Sequence, residues 1–309
     1  MLILSACRDI AATLPPPTPS PTPRSTALPA VPTAPPAGST DNPIRIGFVV
    51  ADAEAVEEAS AALAIALSDA SALTVEFVAY PRPADAVAAL CASPAGTPTA
   101  VWLDGLSALA AEARACGDLA LVAEREGDEG RSATEVIQLI VPEDSEPEAL
   151  TELADGTFCR ISATDMQTWL LPSLLLQAND VTPADIDRFE NLDDMDALMS
   201  AVADGDCDSA GVPASALAAA EGDVRENIAL LDETLEVAYN ALLYPQQVPL
   251  GARETLNTAF EALAADDEQT DNLSAVLGAD GIRSAERTDF ASLRAVLARA
   301  GIDLARMGG

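Results

Sequence analysis

The sequence predicts an α/β protein built as two similar lobes with mostly parallel sheets. Three observations carry this. Buried-looking apolar runs alternate with helical stretches from Ile44 onward, the pattern of strands joined by crossover helices. A helix–strand–loop–helix pattern occurs twice, residues 85–90 before 104–109, and 196–202 before 213–217. Four cysteines in the body fall two to each half.

Taken in order, Ile44-Arg45-Ile46-Gly47-Phe48-Val49-Val50 reads as a buried strand. Residues 53–68 read as a helix with Val56, Ala59, Leu63 and Leu67 on one face. A strand over 74–79, a helix over 84–91, a strand over 99–103 and a helix over 105–115 follow. Gly117 stops that last helix. Strands are expected at 119–123 and 135–141. Ser145 to Glu148 reads as a capping box before a short helix. A strand at 157–161 leads into a helix around 165–178. Thr182-Pro183 has the form of an N-cap with proline at the first helical position. A helix at 193–204 ends at Gly205, and strands are expected at 207–212, 227–231 and 235–243. Helices over 250–265, 271–277 and 288–300 complete the chain. The expected crossings between lobes are near 141 and 235. Lobe 1 then covers about 44–140 plus part of the C-terminal region, and lobe 2 about 141–235.

Ahead of the body stands a segment of another kind. Residues 15–36 hold ten prolines among Thr, Ser and Ala. Such a chain cannot bury enough apolar surface to fold and stays extended. At about 3.1 Å per residue, residues 8–43 form a tether reaching roughly 100 Å. Leu4-Ser5-Ala6-Cys7 is similar to a bacterial lipobox, so residues 1–7 read as the remnant of a lipoprotein signal with Cys7 as the acylated residue. A basic leader and a longer apolar stretch are missing, so the true translation start is expected upstream of Met1. The layout expected is a lipid-anchored extracytoplasmic protein that meets the membrane through Cys7.

Charge and composition exclude several functions. Fifty acidic residues face 16 basic ones, a formal charge of −34. A nucleic-acid partner needs a basic footprint and is excluded. The chain has no histidine, and all 16 basic residues are arginine. Triad catalysis, histidine-based zinc sites, P-loop chemistry and Schiff-base lysines are therefore ruled out. Carboxylate pairs of the glycosidase kind remain conceivable. Two Trp and three Tyr are few for a sugar-stacking cleft, however.

Cys91 and Cys116 each end a helix just before a strand, at the same end of lobe 1. Cys159 and Cys207 both belong to strands of lobe 2. Four cysteines allow three pairings. Pairing within lobes, Cys91–Cys116 and Cys159–Cys207, leaves the lobes free to move, whereas either cross-lobe pairing locks them. Outside the cytoplasm the thiols should be oxidised.

Four segments then carry a resemblance. They are Ala100-Val101-Trp102-Leu103 with Asp104-Gly105-Leu106-Ser107, the run 136–141, the run 159–172 ending at Pro172, and Gly205-Asp206-Cys207-Asp208-Ser209-Ala210-Gly211. In order and spacing, residues 44–300 resemble the phosphate/phosphonate-binding subunits of ABC importers, within the type 2 periplasmic binding proteins. The resemblance implies a ligand held in a cleft between the lobes and an ABC permease as partner. It also implies a monomer with no catalysis, no cofactor and no metal. A binding or sensing module that has lost transport is the alternative.

The implied ligand contacts are Asp52, Tyr80, Asp104 and Ser107 from lobe 1. From the crossing and lobe 2 they are Thr134, Ser162, Thr164, Asp165, Gln167 and Asp208. Trp102 reads as core, and Asp52 and Asp104 have helix caps as their competing reading. One departure matters. Where the family has a Ser-Thr-Ser-Gly run at a helix N-terminus to grip an anion, this chain has Asp165-Met166-Gln167-Thr168. Asp165 either caps its own helix or faces the ligand. In both cases it competes with an anion, and the strand-end carboxylates suit a ligand of amine or cationic character.

Overall fold

The computed structural model describes residues 35–93, 97–127, 130–145 and 150–306. Cys7 and most of the proline-rich tether lie outside the described residues, as does most of the capping box at Ser145. The first strand and helix form where apolar periodicity demands them: β1 (Ile44–Val49), α1 (Glu57–Ser71) and β2 (Val75–Tyr80). They are followed by α2 (Pro83–Cys91), β3 (Thr99–Leu103), α3 (Gly105–Ala113) and β4 (Asp118–Gly127). β3 is buried along its whole length, as a strand covered on both faces must be.

A short β5 (Gly130–Ser132) turns back on β4, and β6 (Thr134–Pro142) enters a second sheet. There the chain forms β7 (Thr157–Arg160), a π-helical turn at Met166–Leu170 and α4 (Leu171–Gln177). Next come β8 (Arg188–Asn191), α5 (Met195–Ala203), β9 (Ser209–Pro213), α6 (Ala214–Ala219) and α7 (Gly222–Glu226). The long β10 (Ile228–Ala238) pairs with β6, and β11 (Ala241–Tyr244) returns to the first sheet. The chain closes with α8 (Leu250–Ala264), α9 (Asp267–Leu277), β12 (Gly281–Ser284) and α10 (Ala291–Arg299).

The large sheet runs β12-β4-β11-β3-β1-β2, and the small sheet β10-β6-β9-β7-β8. The α/β class and the two sheets are as expected, but the sheets are mixed. Only the β1–β2, β1–β3, β7–β8 and β7–β9 ladders are parallel among the described strands. The reason is the crossing itself. β6 and β11 each arrive from the other sheet, and each inserts against its new neighbours in the opposite direction.

Three further expectations are corrected. The first crossing lies between Gly127 and Thr134 rather than near 141, because β6 belongs to the small sheet throughout. The return lies at Tyr239–Asn240 rather than near 235, and residues 228–238 form one strand with a bulge between Leu230 and Thr234. Thr182-Pro183 starts no helix. The Asp185 carboxylate accepts hydrogen bonds from both the N–H (2.8 Å) and hydroxyl (2.6 Å) of Thr182, closing a turn. The chain then extends as β8.

Both disulfides form within a half: Cys91–Cys116 ties α2 to the end of α3, and Cys159–Cys207 ties β7 to the start of β9. One apolar cluster, including Leu103, Ile137, Phe158, Leu175 and Leu293, runs through both halves beneath β6 and β10. A second, around Trp102 and Phe260, fills the far face of the large sheet.

Candidate functional site

The C-terminal ends of β3 and β7 face one another across the crossing strands, the usual place for a ligand in open α/β sheets. At the end of β3, Asp104 caps α3 by accepting the Ser107 N–H at 2.9 Å. The next residue must be glycine. A Cβ at Gly105 would stand 2.8 Å from the Ala238 carbonyl oxygen, so α3 begins pressed against the last residues of β10. At the end of β7, Asp165 accepts both the N–H and the hydroxyl of Thr168, each at 2.7 Å. The Thr168 hydroxyl in turn accepts the Ile161 N–H at 3.1 Å. This closed circuit fixes the loop that carries Met166 and Gln167.

Two cavities open here. The inner one, about 130 Å³, is lined by Asp104 and Gln167 with Arg125, Glu135, Tyr239 and Asn240 among its polar groups. Glu135 accepts hydrogen bonds from the Tyr239 phenol (3.1 Å) and the Ser215 hydroxyl (2.7 Å). The Arg125 guanidinium lies over the Tyr239 ring at 4.3 Å and donates to the Gly278 carbonyl at 2.8 Å. Burial first, then the Glu135 charge and hydrogen bond, push the Tyr239 phenol up to about 12, with Arg125 opposing. Tyr239 is therefore a neutral donor at physiological pH. The inner floor carries two carboxylates against one guanidinium, with amide and phenol groups between them.

The outer cavity, about 600 Å³, lies between α2 and α3 on one side and Thr164 and Met166 on the other. Leu106 and Met166 line both cavities, so the two lie side by side.

Of the expected contacts, the structure brings Asp104 and Gln167 to the inner cavity and Ser107 and Thr164 to the outer. Six others line neither. Asp52 is exposed and accepts the N–H groups of Glu54 and Ala55. The Tyr80 ring packs over Gly47, and burial raises its phenol with Arg45 opposing. Thr134 and Ser162 close short turns with Ser132 and Thr164. Asp165 is turned into its cap. Asp208 sits at the opposite end of the small sheet, accepting the Thr157 N–H at 2.6 Å, because β9 runs parallel to β7 and starts where β7 starts. Trp102 is core, 1 % exposed and edge-on to Phe260. Arg160 lies over the rings of Phe189 (4.3 Å) and Trp169 (5.0 Å), and burial lowers its affinity for the proton. Sequence reasoning missed Arg125, Glu135, Tyr239 and Asn240. The signal available was the polar pair Tyr239-Asn240 interrupting an apolar run, which marks the return crossing.

A family model described as the periplasmic substrate-binding protein of phosphonate ABC transporters matches residues 47–290. The chain belongs to that family. It is a family of solute-binding proteins rather than enzymes, and its place of work is outside the cytoplasm. Solved structures agree on the fold. A Xanthomonas citri protein bound to chloride superposes with a TM-score of 0.60 at 15% identity, covering 84% of this chain and 97% of that one. A phosphonate-transporter binding component from Pseudomonas aeruginosa gives 0.54 at 14%, covering 84% and 87%. PhnD1 from Prochlorococcus marinus, in complex with methylphosphonate, gives 0.53 at 14%, covering 84% and 98%. No curated protein sequence matches the chain. No helix among the described residues is long and apolar enough to cross a membrane.

Proposed function

We propose that this chain is the lipid-anchored solute-binding protein of an ABC importer, and that its ligand carries a positive charge rather than being a free phosphonate. The acyl chains sit on Cys7, the proline-rich segment spaces the body from the membrane, and the two halves close on the ligand by hinge motion. Both disulfides lie within a half, which leaves that motion open.

The observation that carries the ligand reading is the Asp165 cap. The N-terminal end of this helix, where a phosphonate would be gripped, already holds a carboxylate. Two unit charges about 4 Å apart repel by roughly 4 kcal/mol at an effective dielectric near 20. That is the whole binding free energy of a millimolar ligand, about 4 kcal/mol. Asp104 and Glu135 on the inner floor favour an ammonium instead. Calorimetry with methylphosphonate, inorganic phosphate and primary amines tests this. The two anions should bind more weakly than about millimolar, and amines more tightly. Micromolar methylphosphonate binding to the unmutated protein would overturn the reading.

A further inference from the structure

The outer cavity differs from the rest of this molecule in charge. Acids outnumber bases 50 to 16 over the whole chain, yet no carboxylate lines this cavity. Its wall is apolar, formed by Pro83, Val87, Leu106, Ala110 and Met166, and it carries two arginines. Arg82 is paired, its Nε and Nη2 donating to the Asp85 carboxylate at 2.8 and 2.9 Å. Arg114 is not. The residue is partly buried, and its guanidinium makes no hydrogen bond or ion pair among the described residues. At about 600 Å³ the cavity falls within the range of small-molecule sites, roughly 300–1,000 Å³. It is also a built feature. Cys91–Cys116 joins the C-terminal end of α2 to the residue two beyond Arg114, so the two helix walls are covalently held.

We infer that the outer cavity is a second subsite, which takes an apolar body ending in a carboxylate, with Arg114 as the carboxylate's partner. This rests on the reading that the inner cavity receives an ammonium, and it extends that ligand to an elongated zwitterion. Asp104 and Arg114 bracket α3 as N-cap and C-cap. Ten residues of helix at about 1.5 Å each set them roughly 15 Å apart along its axis. The flexible arginine side chain shortens that span. The occupant has its two charges separated by an apolar stretch, a chemistry presented by an ω-amino acid or by a short apolar peptide. A planar guanidinium pairs with a carboxylate through two parallel hydrogen bonds, which gives the end group its specificity. Thr164 and Met166 contribute the opposite wall, so such a ligand touches both halves of the protein and favours their closure.

Calorimetry on the full chain, with ω-aminooctanoate, its amide, octylamine and octanoate as probes, reads the two ends separately. Tetra-alanine and its amide form a parallel arm that distinguishes a peptide from an ω-amino acid, four extended residues spanning about 14 Å. At least one of the two acids should bind tenfold or more tightly than its own amide. Arg114→Gln should abolish that ratio while leaving the amides unchanged, and Arg114→Glu should reverse it. The acid-to-amide ratio in the unmutated protein needs no variant, and matched thermal midpoints show that each variant folds. Equal binding of acids and amides, or a ratio unaffected by Arg114→Gln, overturns the second subsite and leaves the amine reading intact. Failure of octylamine and both amides to bind, with octanoate still bound, overturns the amine reading and the zwitterion but keeps Arg114 as a carboxylate partner. Failure of every probe overturns both.

Discussion

Asp165 places a negative charge at a helix start, and its geometry separates two roles. As a cap it can be replaced by serine, which satisfies the same backbone N–H group nearly as well. As a charge it cannot. Asp165→Ser should therefore leave thermal stability almost unchanged and raise methylphosphonate affinity at least tenfold, measured by calorimetry. Unchanged anion affinity would mean that the charge is not what excludes the anion. Asp289 is a second acid whose surroundings fix its behaviour. Burial alone would raise its carboxyl, but hydrogen bonds from Arg283 (2.6 and 3.0 Å) and the Glu286 N–H (2.7 Å) outweigh this and hold it below the usual range. A folded-state value below the unfolded one adds stability above about pH 3.9, the ordinary aspartate value, and loses it as pH falls through the depressed value. Asp289→Asn should cost about 1.5–3 kcal/mol at neutral pH. The gap to the unmutated protein, followed by urea unfolding, should narrow below about pH 4, and a gap independent of pH would contradict the assignment. The roles legible from sequence were those closed within three residues, such as the Asp104 and Asp165 caps. The partners of Asp208 and Glu135 lie 51 and 104 residues away, and no local pattern announces them.

Among the elements, the clearest constraint joins two residues that the sequence resemblance had singled out separately. Gly211 in β9 and Pro172 in α4 are in such close contact that a Cβ on Gly211 would lie 2.1 Å from the proline ring. This contact seats α4, and with it the π-helical turn carrying Met166 and Gln167, against the small sheet. Gly211→Ala must displace either the strand or the helix. Overpacking of this kind costs about 1–3 kcal/mol. Because the displaced turn lines both cavities, amine affinity should fall together with the unfolding midpoint. A variant that loses stability but binds normally would show that the turn is held independently of α4. Element by element, β1, β3 and β6 were readable because each is an apolar run buried in the middle of a sheet. β8 and β12, with sequences RFEN and GIRS, were not. Both are edge strands of four residues, whose short and polar character suits an edge and leaves no alternation to recognise. The mixed sheet order was illegible for a related reason. Local pattern identifies β11 as a strand, but only long-range pairing inserts it between β3 and β4.

At the scale of the whole molecule, charge decides how the protein relates to a membrane. A net charge of −34 repels an anionic lipid surface, since 50 acidic residues face 16 arginines and no lysine. The apolar helices are short and amphipathic rather than membrane-spanning among the described residues. Net charge therefore opposes contact of the body with an anionic bilayer, and no helix among the described residues is long and apolar enough to span one. On the lipid-anchored reading proposed above, acylation of Cys7 supplies the attachment. This makes a demanding prediction. With a full signal placed upstream, Cys7→Ser should move the protein from the membrane fraction to the soluble fraction completely, at low as well as high ionic strength. Screening within a Debye length of about 10 Å at 0.1 M salt only weakens a repulsion. An electrostatically held protein would instead stay bound at low salt and elute as salt rises. Membrane retention of the Cys7→Ser protein, at any ionic strength, would defeat the lipoprotein assignment and point to a protein partner that holds the body there.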